Sequence, residues 1–112
     1  MMKVKSMRGK RICVVGAGPS GLTTTKTLLE ADLDVDCFEM SPFVGGHWVL
    51  NNPNGLAASY ASLCTNTPKG MSRFSDFSMP EEWPNFPTHT QVREWLESYV
   101  DTFGFREHIY TS

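Results

Sequence analysis

The 112-residue sequence predicts an α/β fold built on a parallel sheet, and three observations carry that prediction. An apolar, β-branched run, Ile12-Cys13-Val14-Val15, stops abruptly at Gly16-Ala17-Gly18-Pro19-Ser20-Gly21. A helix-compatible segment follows, to about Ala31. A second apolar stretch then runs from Asp34 to Glu39. Strand, helix and strand in that order make the two strands parallel, because a helical crossover returns the chain to the same end of the sheet.

Each element has a local reason. Lys10 to Val15 is rich in β-branched residues, which suit a pleated surface. Pro19 opens the helix, since its missing N–H would have no partner in a first turn. Thr23-Thr24-Thr25 is poor helix material, so packing through Leu22, Leu28 and Leu29 must hold the Pro19–Ala31 helix. From Met40 to Pro87 stand six of the seven prolines together with several aromatics. That stretch is too long for a connection and too aromatic for a disordered linker, and it predicts irregular backbone wrapped over a flat, partly apolar object. Thr88-His89-Thr90-Gln91 fits a capping box. Val92, Trp95, Leu96, Tyr99, Val100 and Phe103 then form one helical stripe, read as core, and Gly104 ends the helix. Phe105 to Ser112 starts a third strand.

The glycine spacing carries chemistry. Gly16 permits a tight turn off the strand, Gly18 lets backbone approach a pyrophosphate, and Gly21 lets the new helix pack on the sheet. The helix opened by Pro19 and Ser20 offers unpaired N–H groups to phosphate oxygens. Glu39 ends the second strand, where a carboxylate accepts hydrogen bonds from an adenosine ribose. Residues 11–39 therefore read as a Rossmann-like, dinucleotide-binding βαβ unit.

Composition narrows the remaining classes. A net charge of −2 with 20% charged residues gives no sign of a polyanion-binding surface, and no nucleic-acid partner is expected. The basic lead-in (Lys3, Lys5, Arg8, Lys10, Arg11) is short and reads as solvated. No apolar stretch approaches the roughly 20 residues of a membrane helix. No signal-peptide pattern precedes the glycines, so a cytoplasmic location is expected. Cys13, Cys37 and Cys64 form neither a CxxC pair nor a zinc site; Cys13 and Cys37 read as buried thiols within strands. His47, His89 and His108 are too scattered for a metal site, and His89 reads as helix-cap surface.

Beyond Glu39, Gly45-Gly46-His47-Trp48 resembles the GGxW segment of flavin-containing monooxygenases. Tyr60 to Lys69 (YASLCTNTPK) resembles that family's YxSLxTNTPK segment, and Met71 to Pro80 the stretch after it. The resemblance runs from Lys10 onward. It implies that the dinucleotide is FAD, with Gly16, Gly18, Pro19, Ser20 and Gly21 at its pyrophosphate and Glu39 at its ribose. Gly45 and Gly46 would bring backbone close to the cofactor, Trp48 would pack nearby, and Asn66 would be the catalytic residue beside the isoalloxazine ring. The implied reaction is NADPH-dependent oxygenation, by O₂, of small molecules bearing a soft nitrogen or sulfur, through a C4a-hydroperoxyflavin. By the same resemblance, the family's NADPH site and C-terminal return to the FAD domain are expected to lie outside these 112 residues. Residues 1–112 are thus expected to be the N-terminal part of an FAD-binding domain, its doubly wound parallel sheet incomplete at the C-terminus. The chain alone is expected neither to turn over NADPH nor to hold FAD tightly. Two alternatives stand beside this reading: a Baeyer–Villiger-type flavin monooxygenase, and a non-catalytic nucleotide-binding fragment.

Overall fold

A computed structural model describes residues 9–112. Lys3, Lys5 and Arg8 of the basic lead-in lie outside the described residues, while Lys10 and Arg11 are exposed. The elements run β1 (Arg11–Val15), α1 (Pro19–Glu30), β2 (Asp34–Phe38), a 3₁₀ turn (Gly46–Trp48), α2 (Lys69–Ser72), α3 (His89–Phe103), a second 3₁₀ turn (Arg106–His108) and β3 (Ile109–Tyr110). The three strands form one parallel sheet in the order β1-β2-β3, with Val14 opposite Cys37 and Phe38 opposite Tyr110. The sheet, the crossover helix and the third strand agree with the fold class expected from the sequence.

Strand alternation sorts the side chains onto two very different faces. Val14, Val35 and Cys37 point to one face and join Leu22 of α1 with Leu96, Tyr99 and Val100 of α3 in a single core cluster. The opposite face carries Arg11, Cys13, Val15 and Phe38, all exposed, with Val15 at 85%. Cys13 is therefore exposed, which corrects the expectation of two buried strand thiols; Cys37 alone is buried. The reason is register. Cys13 pairs with Asp36 on the face where Arg11 bridges to Asp36 at 2.7 Å.

The α1 threonines satisfy themselves locally. Thr24 Oγ1, exposed, donates to the Ser20 carbonyl at 2.7 Å, and buried Thr25 Oγ1 to the Gly21 carbonyl at 2.8 Å, so poor propensity leaves neither hydroxyl unpaired. Helix α3 begins as the sequence reading has it. Thr88 Oγ1 accepts from the Gln91 N–H at 3.2 Å, and Gln91 Oε1 accepts from the Thr88 N–H at 3.0 Å. Gly104 closes the helix in the left-handed region, φ 69°. The stripe is core except at its last member, since Phe103 is 37% exposed and lies under the Lys26 ammonium.

His89 is buried rather than a surface cap residue. Its Nε2 lies 3.2 Å from the Ala61 carbonyl, and its N–H donates to the Leu63 carbonyl at 3.0 Å. The 40–87 segment folds back against the start of α3 and covers that side chain, which spacing alone does not reveal.

Candidate functional site

Gly16 leaves β1 with φ 95°, a conformation that side chains rarely adopt, and its N–H donates to the Phe38 carbonyl at 2.8 Å. Gly18 is the extended N-cap of α1, and no side chain caps it. The first-turn N–H groups of a 12-residue helix are thus left open, which is the electrostatic arrangement an anion needs. Gly21 is where a side chain cannot fit. A Cβ there would lie 1.8 Å from the Gly16 carbonyl oxygen.

Gly45 and Gly46 build a second loop on the first. Gly45 has φ 124° and donates its N–H to the Ala17 carbonyl at 2.9 Å; Gly46 has φ 58°. A Cβ on Gly46 would stand 3.0 Å from the Gly18 Cα. The close approach these glycines permit includes contact between one glycine loop and the other. That contact is nonlocal, so no spacing rule points to it.

Glu39 lies one residue past β2, where its N–H donates to the Tyr110 carbonyl at 2.8 Å. Its carboxylate is fixed by backbone. Oε2 accepts from the Ala17 N–H and Oε1 from the Ser41 N–H, each at 2.8 Å. Both oxygens retain acceptor capacity beside the glycine turn. Ala17 and Ser41 are positioning groups that the sequence reading did not name.

These residues converge. Gly16, Gly18, Glu39 and Gly46 line one cavity of about 650 Å³, together with His47, Leu56 and Tyr110. The apolar rim includes Phe38, whose ring stacks on Tyr110 with centroids 5.3 Å apart. Pro19, Trp48 and Asn66 line a neighbouring cavity of about 210 Å³ with Val92 and Trp95. The two cavities share a ridge of consecutive residues, Gly18–Pro19 on one side and Gly46 to Trp48 on the other. Ser20, in the first turn of α1, is exposed and lines neither cavity. Asn66 sits on a bend, exposed, on irregular backbone. Its neighbours Thr65 and Thr67 spend their groups on local bonds, Thr65 Oγ1 donating to the Thr67 carbonyl at 2.8 Å.

Among the described residues no group of histidine, cysteine and carboxylate side chains could hold a metal, and no helix is long and apolar enough to cross a membrane. The buried Cys37 thiol is pushed up by burial and donates to the Gly16 carbonyl at 3.4 Å, which makes it a packing group under the loop.

The glycine turn, the open helix N-terminus and the carboxylate at the tip of the neighbouring parallel strand place the molecule among Rossmann-like α/β proteins. Residues 9–111 match the family model for flavin-binding monooxygenase-like proteins, and the chain belongs to that family. Rat flavin-containing monooxygenase 5 is 44% identical over 105 residues, which are 92% of this chain and 20% of the rat protein. Human flavin-containing monooxygenase 1 is 41% identical over 102 residues, 89% of this chain and 19% of the human one. The chain thus spans about one fifth of the length of the curated relatives it matches. Among solved structures, S-allyl-L-cysteine S-oxygenase from Allium sativum superposes with a TM-score of 0.81 at 25% identity, covering 90% of this chain and 27% of that one. Cyclohexanone monooxygenase in its open form superposes with a TM-score of 0.72 at 26% identity, covering 88% and 19%.

Proposed function

We propose that this chain is the FAD-binding N-terminal part of an NADPH-dependent monooxygenase acting on small molecules with a soft nitrogen or sulfur. The observation that carries the reading is the cradle at Gly16–Gly21. A side chain at Gly21 would strike the Gly16 carbonyl, the α1 N-terminus is uncapped, and Glu39 is held beside both by two backbone N–H bonds. A pyrophosphate fits that chemistry, because it needs close backbone, N–H donors and no side chain in the way. Glu39 suits the two hydroxyls of a ribose, since each of its oxygens still has a lone pair to offer.

In this reading Gly16, Gly18, Pro19, Ser20 and Gly21 hold the pyrophosphate end, and Glu39 holds the ribose. Gly46 supports Gly18, while Trp48 and Asn66 face the ring end across the shared ridge. A flavin bound there and reduced by NADPH supplies the activation of O₂ that places one oxygen atom on the nucleophile. Asn66 suits the ring end because a neutral amide both donates and accepts and adds no charge. NADPH would use a motif outside these 112 residues.

The test is turnover by a flavin-loaded enzyme in which these 112 residues are joined to an NADPH-binding part, with NADPH oxidation followed alongside product. A thioether giving sulfoxide and a tertiary amine giving N-oxide are the expected outcomes. A second reading rests on the cyclohexanone monooxygenase superposition. It is a Baeyer–Villiger-type enzyme, and it would convert a cyclic ketone to a lactone in preference to the thioether. Rat flavin-containing monooxygenase 5, 44% identical over 92% of this chain, favours the first reading. A protein that binds flavin but oxidises no NADPH would leave the non-catalytic alternative.

A further inference from the structure

Lys69 follows Pro68 at the start of α2, and its ammonium is committed to backbone. Nζ donates to the Glu81 carbonyl at 2.5 Å, the Trp83 carbonyl at 2.8 Å and the Pro80 carbonyl at 3.4 Å. Three carbonyl dipoles converge on one point, and an ammonium is the side-chain group with three donors around a single nitrogen. The main chain repeats the tie on either side. The Lys69 N–H donates to the Asn85 carbonyl at 2.7 Å and the Thr65 N–H to the Pro87 carbonyl at 2.9 Å, while Cys64 bridges to Thr88. Residues 63–69 are therefore laced onto residues 80–89, which lead straight into the capped start of α3.

Asn66 lies in the middle of that laced segment, between the anchors at Thr65 and Lys69. Thr67 Oγ1 and Ser72 Oγ, 2.5 Å apart, pin the next residue of the bend. Among the described residues no protein hydrogen bond is recorded for the Asn66 amide itself. Its backbone position is therefore set by its neighbours' bonds.

We propose that Lys69 is a positioning residue, holding the 80–83 turn against the 65–69 segment so that the Asn66 amide faces the ring end of the flavin. This rests on the assignment of Asn66 given above. An alternative in which Lys69 only stiffens a surface loop predicts a change in stability without a change in how reducing equivalents are used.

Two measurements separate these. The first is amide hydrogen exchange on the chain. Lys69→Met, which keeps the length and loses the charge and donors, should speed exchange at Thr65 and Lys69 about tenfold, while Leu96 and Val100 of α3 keep their protection. Should Lys69→Met also deprotect α3, Lys69→Gln, which retains a donor, is measured against the same expectation. The second is the share of oxidised NADPH recovered as hydrogen peroxide by the flavin-loaded enzyme in which these residues are joined to an NADPH-binding part. Asn66→Ala sets the scale, and Lys69→Met should raise the peroxide share towards it, with flavin content and the rate of flavin reduction unchanged. The double variant should release no more peroxide than Asn66→Ala alone. Arg73→Met removes a cation of the same loop that, among the described residues, reaches only Ser78 Oγ, at 3.3 Å, and should leave the share as it was. If Asn66→Ala does not change the peroxide share, the Asn66 assignment fails and takes this proposal with it. If Asn66→Ala raises it and Lys69→Met does not, the Lys69 proposal alone is overturned. Unchanged exchange at Thr65 and Lys69 in the Lys69 variants would overturn it as well.

Discussion

Gly21→Ala isolates the cradle from every other feature of the fold. On helix propensity alone the change is favourable by up to about 1 kcal/mol, because alanine is the better helix former. The structure opposes it. The new methyl would lie 1.8 Å from the Gly16 oxygen and 2.8 Å from the Gly16 carbonyl carbon, so α1 and the turn must part by more than about 1 Å to restore ordinary contact. Overpacking costs about 1–3 kcal/mol, and so deep a clash with backbone belongs at the upper end, about 2–3 kcal/mol. The neighbours have little room to yield, since Ala17 is fully buried and the Gly16 N–H is bonded to β2. Net destabilisation of about 1–2 kcal/mol is expected, a fall in melting temperature of roughly 4–15 °C for a domain of this size. Dinucleotide affinity should fall with it, because the displaced loop is the one offered to the pyrophosphate. Gly70→Ala is the matched control. It too sits in a helix, but with open space within 4 Å, so it should be neutral or slightly stabilising. The assay is thermal unfolding by circular dichroism together with ADP affinity from an amide-shift titration. A Gly21→Ala protein that melts with the wild type and binds ADP as tightly would refute the steric reasoning.

Other perturbations follow from the same geometry. Gly46→Ala forces a left-handed residue to carry a Cβ 3.0 Å from Gly18, and it should cost about 1–2 kcal/mol in a denaturant titration while loosening the same loop. Thr88→Ala removes one half of the capping box and should destabilise by about 1 kcal/mol, visible as a lower midpoint in urea with an unchanged slope. Alkylation of the native protein should modify Cys13 and Cys64 and spare Cys37, with mass spectrometry of the peptides as the check. Burial raises the Cys37 thiol, so above the ordinary thiol value of about 8.5 the folded chain holds a proton that the unfolded chain releases. The associated stability is complete below that pH and is lost as pH rises through the higher folded value; Cys37→Ala should therefore flatten the alkaline decline in melting temperature.

What the sequence made legible was whatever has a local cause. The Gly16–Gly21 turn, the Pro19 start, the Thr88–Gln91 cap and the Gly104 stop are each written within a few residues, and each stands where spacing puts it. Parallel pairing of β1 with β2 follows from the crossover helix, and the third strand arrives at Ile109 after a short 3₁₀ turn. What was not legible depends on contacts far along the chain. Cys13 is exposed because its face of β1 carries the Arg11–Asp36 pair, yet in sequence it looks as apolar as its neighbour Val14. His89 is covered by residues 61–63, some distance before it. Gly46 supports Gly18 through a loop that no periodicity encodes. For Asn66 the bend before Thr67-Pro68 could be read locally, but the lacing at Lys69 that fixes it could not.

The central claim is that the glycine turn, Glu39 and Gly46 form one site for the adenosine-diphosphate half of FAD. Titrating the isotope-labelled protein with ADP, and separately with FMN, while recording backbone amide shifts tests this most directly, since it does not need tight binding or turnover. The account predicts that ADP moves the amides of Gly16, Ala17, Gly18, Gly21, Glu39 and Gly46 and leaves those of the Lys69–Ser72 helix unmoved. FMN, which lacks the adenosine ribose, should not reproduce the shift at Glu39. Saturating ADP that moves none of these amides, or FMN that moves Glu39 equally, would contradict the assignment.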